Sequence, residues 1–250
     1  MIALISDLHS NLEALTAVFQ RIDELKVPEV ACLGDVVGYG PDPEPCIDLV
    51  QKRCAFTLMG NHDWGLFNDL DDFNPLAREA LNKTRERLKP RLFGLAGGDP
   101  RRWNFLKNLP DRIARGNVLF VHASPRDPIK EYVLKTDGFL EPEKIERIFQ
   151  AFTGTCFVGH THWPGVHTAD FRFTQATDDK RVFTIGEGSS IVNVGSVGQP
   201  RDGDPRACFA TLDGTTVEFH RVAYDYRITQ EKIRRWGLNE VLAERLSRGR

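Results

Sequence analysis

Three times between Met1 and Asp63 an apolar run stops at a short cluster of side chains able to bind metal. Met1 to Ile5 runs into Asp7-Leu8-His9, Val30 to Leu33 into Gly34-Asp35, and Ala55 to Met59 into Gly60-Asn61-His62-Asp63. Helical patterns separate the runs. Ser10 to Leu25 places Leu12, Leu15, Val18, Phe19 and Ile22 at helical spacing, with Ser10 and Glu13 arranged as a capping box. Pro43 to Lys52 reads as a second, shorter helix. Strand–helix–strand repeats of this kind give parallel sheets, and ligands gather beyond the carboxyl ends of their strands. The three polar clusters fall at those ends.

Two more apolar runs end in the same way. Asn117 to Val121 precedes His122, and Thr155 to Val158 precedes Gly159-His160-Thr161-His162. Of the seven histidines in the chain, five lie in these segments, which makes a chance scatter a poor account of them. In a strand, residues i and i+2 point to one side, so Asp7 with His9, and His160 with His162, are each expected to reach a shared centre. Each segment alone is weak evidence; all five, each just after an apolar run, are not. Carboxylate and amide oxygens mixed with imidazole nitrogens suit divalent first-row metals. Two such ions side by side form a clamp for in-line displacement at phosphorus.

The rest of the chain constrains the setting. Its 250 residues, 41% hydrophobic and 27% charged, are read as one α/β domain spanning 1–250. Residues 64–116 form a helical insertion, with helices from Asn74 to Leu88 and from Arg101 to Leu109 split by Gly97-Gly98-Asp99-Pro100. Such an insertion either covers the site and shapes substrate choice or packs as ordinary helices on the sheet. Beyond Asn117 the texture turns strand-like: 155–158, 182–185, 190–194, 206–212 and 215–222, with Asp213-Gly214 as a hairpin signal and a helix from Glu141 to Phe152. A last helix over 229–246 is expected to fray into its basic tail.

A net charge of −2 argues against a broad basic surface for nucleic acid; Arg101-Arg102, Arg112, Arg115 and the Arg-rich end either lie together as a local basic groove or form a solvated face. No apolar stretch approaches a membrane span, and the N-terminal run is too short and lacks the basic lead of a signal peptide. The five cysteines are scattered without close pairing, so a cytoplasmic setting is expected.

In this order the five motifs resemble the calcineurin-like metallophosphoesterase superfamily over residues 1–222. Within it the chain looks most like the bacterial branch of small phosphodiesterases, protein phosphatases and dinucleoside polyphosphate hydrolases. The run from Asn193 to Arg206 (NVGSVGQPRDGDPR) and the pair Tyr224-Asp225 are similar to that branch's sequences. The resemblance implies an αββα sandwich of two mixed sheets flanked by helices. It also implies two divalent ions drawn from Mn, Fe, Zn, Ni or Co, with Mn or Fe favoured. Asp7, His9 and His162 would bind the first ion, Asp35 would bridge, and Asn61, His122 and His160 would complete the second site. A water shared between the ions would attack phosphorus. His62 would protonate the leaving group or hold the phosphoryl oxygens. Asn11, where the first helix begins, either holds a phosphoryl oxygen or caps the helix, and Arg201 either contributes positive charge or stabilises its loop.

The implied activity is hydrolysis of phosphodiesters or phosphomonoesters in small substrates, nucleotides among them. The alternatives are a phosphoprotein phosphatase and, less favoured because every ligand is present, a silent metal-binding scaffold. One departure stands out. Many relatives follow Gly-Asp with a second Asp, which orients the catalytic histidine, and then an Arg. Here those positions are Gly38 and Tyr39, which leaves His62 without an orienting partner. Tyr39 and Trp64 either stack on a base or pack in the core.

Overall fold

A computed structural model describes residues 1–91, 97–186 and 188–250. Among these, twelve strands form two six-stranded mixed sheets. The first sheet orders β3 (Phe56–Thr57), β2 (Val30–Cys32), β1 (Ile2–Ile5), β11 (Ala207–Asp213), β12 (Thr216–Val222) and β9 (Val182–Thr184). The second orders β4 (Arg112–Arg115), β5 (Val118–Val121), β6 (Thr155–Val158), β10 (Ser190–Asn193), β7 (Gly165–Thr168) and β8 (Phe173–Gln175). β1, β2 and β3 run parallel, as the βαβ pattern requires, while β11 pairs antiparallel on the other side of β1.

Strand alternation builds the layers. Leu4 and Ala31 face inward with Leu33 and Leu58, against Phe120, Phe157 and Val192 of the second sheet. Ala3, Ile5 and Cys32 face the other way, onto Leu15, Val18 and Phe19 of α1 (Leu12–Glu24) and Ile47 and Val50 of α2 (Pro43–Arg53). On the far side, Val121, Cys156 and Ile191 pack against Ile145 and Ile148 of α7 (Pro142–Phe149). The result is helix, sheet, sheet, helix. Each fully buried side chain of the size of Phe157 or Leu4 contributes about 2 kcal/mol of hydrophobic stabilisation.

Several expectations need correction. The capping residue of α1 is Asn11, whose Oδ1 accepts the Ala14 N–H; Ser10 stands outside the helix with φ 54°, so no Ser10–Glu13 box forms. Residues 64–116 are not wholly helical. α3 (Asn61–Gly65), α4 (Pro75–Leu88) and α5 (Pro100–Lys107) are followed by β4, an edge strand whose mostly exposed residues gave no apolar signal. Residues 92–96 of that insertion lie outside the described residues. The span 229–246 is two helices, α8 (Tyr226–Arg235) and α9 (Glu240–Arg248), turned at Gly237 with φ 70°. The basic end does not fray: α9 continues to Arg248, and Gly203 N–H donates to Gly249 O. No described helix is long and apolar enough to cross a membrane. The arginines at 101, 102 and 115 pair with Asp99, Asp48 and Glu29, so they form no free basic groove.

Candidate metal centre

β1 ends at Ile5, so Asp7 and His9 sit in the loop beyond it and strand alternation is not what unites them. Both take the left-handed conformation, with φ 55° and 46°, as do Asp35, His160 and His162. Of the nine non-glycine residues with positive φ among the described residues, seven belong to this region, Ser10 and Tyr39 being the others. Each such residue costs about 1–3 kcal/mol and persists only where its surroundings over-determine it. Here they do. The N–H groups of Leu8 and His9 donate to Asp35 O, and Asp7 O accepts from Gly198 N–H and Ser196 Oγ. Asp63 closes the cradle by accepting the N–H groups of Val36, Val37 and Gly60. Gly60 lets the two loops meet, because a Cβ there would lie 2.1 Å from Asp35 Oδ1.

These loops bring the ligand-type atoms together. His162 Nε2 lies 3.2 Å from Asp7 Oδ1 and 3.2 Å from His9 Nε2. Asp35 Oδ2 stands between two histidines, 3.7 Å from His9 Nε2 and 3.5 Å from His122 Nε2. Asn61 Oδ1 is 3.2 Å from His122 Nε2. Three groups hold their ligand atoms within 4.8 Å of one another: Asp7–His9–His162, Asp7–Asp35–His122 and His9–Asp35–His62. His160 joins none of them; its ring centroid lies 5.0 Å from that of His122.

Four of the five histidines share one further feature. His9 Nδ1 faces Val37 O, His122 Nδ1 faces Leu33 O, His162 Nδ1 faces Gln199 O, and His160 Nε2 faces Lys130 O. A nitrogen that meets a carbonyl carries the proton, so the other nitrogen of each ring keeps its lone pair, as metal ligation requires. Burial pushes His9 and His160 well below the ordinary imidazole value and lowers His122 and His162, so all four are neutral near pH 7. Burial, reinforced by Asp7 and Asp63, pushes the Asp35 carboxyl well up. No lysine or arginine pairs with Asp7 or Asp35 among the described residues. Without a cation nearby, burial favours the neutral acid form of Asp35; divalent ions bound among these neutral imidazoles would supply the charge that keeps Asp7 and Asp35 ionised together.

Residues 1–164 match the family described as calcineurin-like phosphoesterase. The chain belongs to that family. An uncharacterized protein of Methanocaldococcus jannaschii is 35% identical over 259 residues, covering 100% of this chain and 98% of its own length. The crystal structure of a metallophosphoesterase from Sphaerobacter thermophilus is 38% identical, with TM-score 0.83 over 100% of this chain and 98% of that one. A hypothetical protein from Pyrococcus horikoshii, at 21% identity and TM-score 0.77, shares the fold. Calcineurin-like phosphoesterases typically hold a dinuclear metal centre, and the donor set here fits one.

His62 differs from the other histidines of this metallophosphoesterase site. Its Nδ1 is buried without a hydrogen-bond partner and packs on Gly38, where a Cβ would come within 2.2 Å. Its ring is held by neighbours instead: Tyr39 at 4.5 Å, His9 at 4.7 Å and Phe73 edge-on at 5.6 Å between centroids. Asn11 is not open to a ligand. Its Nδ2 donates to Gly198 O and Tyr224, and its Oδ1 accepts from Ala14 N and Thr229. Arg201 lies 5.8 Å from the Tyr39 ring, bonded to Gln199 Oε1, with no carboxylate partner among the described residues. Tyr39 is buried against His9 and His62, and Trp64 carries the Lys130 ammonium 4.3 Å above its ring.

Sequence reasoning missed three participants. In the sequence Asp63 is one more polar residue of its segment, and its bracing role depends on loops that meet only in the fold. Lys130 and Tyr132 line a cavity of about 150 Å³ beside the centre, together with Asn61, His62 and His160 and with Asp72, Phe73, Asn74 and Ala77. No motif marks Lys130 or Tyr132. The insertion therefore does border the site.

Proposed function

We propose that this metallophosphoesterase hydrolyses small phosphate esters at a two-metal centre built by Asp7, His9, Asp35, Asn61, His122, His160 and His162. The observation that carries the reading is the set of four neutral histidines, each with one ring nitrogen on a backbone carbonyl, gathered around two buried carboxylates. Two divalent ions, once bound, acidify a water into a nucleophile and neutralise charge on the phosphoryl oxygens. Asp35, lying between His9 and His122, would serve both ions. Mn and Fe suit the mixed oxygen and nitrogen donors. His62, whose Nδ1 is buried against Gly38 without a partner, would serve the leaving oxygen through Nε2. Arg201 supplies a positive charge for the phosphoryl group, and Asn11 positions the loop from Asp7 to His9 through Gly198. The cavity of about 150 Å³ beside the centre has room for a small substituent on the phosphoryl group. The five free cysteines fit a cytoplasmic setting.

The test is hydrolysis of bis(p-nitrophenyl) phosphate and p-nitrophenyl phosphate by chelator-stripped protein, with and without added Mn²⁺. Activity should return with metal. Asp35→Asn should lower it on the order of 1,000-fold and reduce the metal content of the folded protein. Near-normal turnover in that variant would sink the two-metal assignment. His62→Ala should slow alkyl esters about 100-fold and p-nitrophenyl esters far less, because p-nitrophenolate leaves without a proton. Equal losses on both would place His62 on the phosphoryl oxygens instead.

A further inference from the structure

Resting on that reading, we infer that the cavity beside the centre is a leaving-group pocket shaped for a single flat ring, with Tyr132 as its specificity-determining wall. The cavity opens onto Asn61, His62 and His160, so an ester whose phosphoryl group sits at the centre directs its substituent into it. Its volume, about 150 Å³, is that of a cavity known to take one benzene ring.

The lining has the matching chemistry. Tyr132, Phe73 and Tyr39 contribute aromatic surface and Ala77 a methyl. Tyr132 stacks on His160 with centroids 3.9 Å apart, while Phe73 meets His62 edge-on at 90°. Both rings are thus tied to side chains of the centre. Tyr132 nevertheless remains 45% exposed, an aromatic surface left partly wet beside a cavity. Its hydroxyl makes no hydrogen bond among the described residues.

The wall is also pre-formed. Asp127 Oδ1 accepts the N–H groups of Ile129 and Lys130, Ala123 N–H donates to Pro128 O, and the Lys130 carbonyl holds His160. At the rim, Lys130 Nζ pairs with Asp72 at 3.0 Å while lying over Trp64, which joins this segment to the insertion and limits the width of the opening. A rigid slot discriminates by shape, because a ring gains apolar contact that a methyl group does not.

The experiment compares phenylphosphonate with methylphosphonate binding to the Zn²⁺-loaded protein, by isothermal titration and by the NMR shift of a ¹³C-labelled Ala77 methyl. Phenylphosphonate should bind about ten-fold tighter or more, with a ring-current shift at Ala77. Tyr132→Leu, and separately Ala77→Val, should collapse that preference to about two-fold. A variant that weakened both ligands equally and kept the preference would mean Tyr132 only supports His160, and would overturn the inference. Equal affinity of the wild-type protein for the two ligands would overturn it too, while leaving the phosphoesterase reading intact. Failure of both ligands to bind would refute that reading and the inference with it.

Discussion

Gly38 decides how His62 is held. An added Cβ would lie 2.2 Å from His62 Nδ1, and φ is +102° there, so Gly38→Ala strains the backbone and displaces the ring at once. The expected cost is about 1–3 kcal/mol of stability, read by urea unfolding, with a larger loss in turnover of alkyl than of p-nitrophenyl esters. Gly38→Asp should fare no better, since a carboxylate needs the space the ring already fills; a gain in activity would show that His62 can move. His167 offers a test remote from the centre. It is buried in β7 beside Phe173, its Nδ1 has no partner, and burial holds it down to about 4. Between that value and the ordinary 6.5 the unfolded chain binds the extra proton, so stability is lost as pH falls through this window, by about 3 kcal/mol. His167→Leu should flatten the profile between pH 7 and 4, and an unchanged slope would assign the acid sensitivity elsewhere.

At the scale of elements, the loop after β10 is a clamp. The Asp202 side chain is buried and ion-paired with Arg221, Asp204 pairs with Arg206, and the same loop offers the Gln199 carbonyl to His162. Asp202→Ala leaves the mostly buried Arg221 guanidinium with only Asp204, 3.8 Å away, and should cost about 1–3 kcal/mol while weakening metal affinity. Metal affinity unchanged in the folded variant would uncouple the clamp from His162. What the sequence discloses at this scale depends on burial. β1, β2 and β3 announce themselves because both faces are covered, which demands unbroken apolar runs. β4 stays hidden because Arg112–Arg115 is exposed along an edge. The turn between α8 and α9 hides for the opposite reason: Ile233, Leu238, Leu242 and Leu246 are all buried on one face, so the pattern continues across Gly237. Residue type marks Asp7, His9, Asp35, His160 and His162, but not the left-handed turns that join them: Asp and His enter that conformation more readily than other side chains, yet only in a small minority of their occurrences.

For the whole molecule, the sheets interleave early and late segments. β11 lies between β1 and β12, and β10 lies between β6 and β7. From this interleaving we infer a single cooperative unfolding transition over residues 1–250, followed by circular dichroism and fluorescence. Two separated transitions would refute it. Metal should raise the midpoint in proportion to the logarithm of its free concentration, since the converged ligands exist only in the folded chain. Lowering the pH should reverse that gain once the imidazoles take up protons, at values below the ordinary 6.5 because burial depresses them.

The same interleaving orders events during synthesis. When the ribosome has released the first 164 residues, every candidate ligand has been made, from Asp7 to His162. β1 and β6 still lack the partners that arrive only with β11 and β10, and the Asp7 carbonyl still lacks Ser196 and Gly198. The nascent chain therefore carries a full complement of metal-binding side chains before it has a place to hold a metal, and the last third of translation completes the cradle.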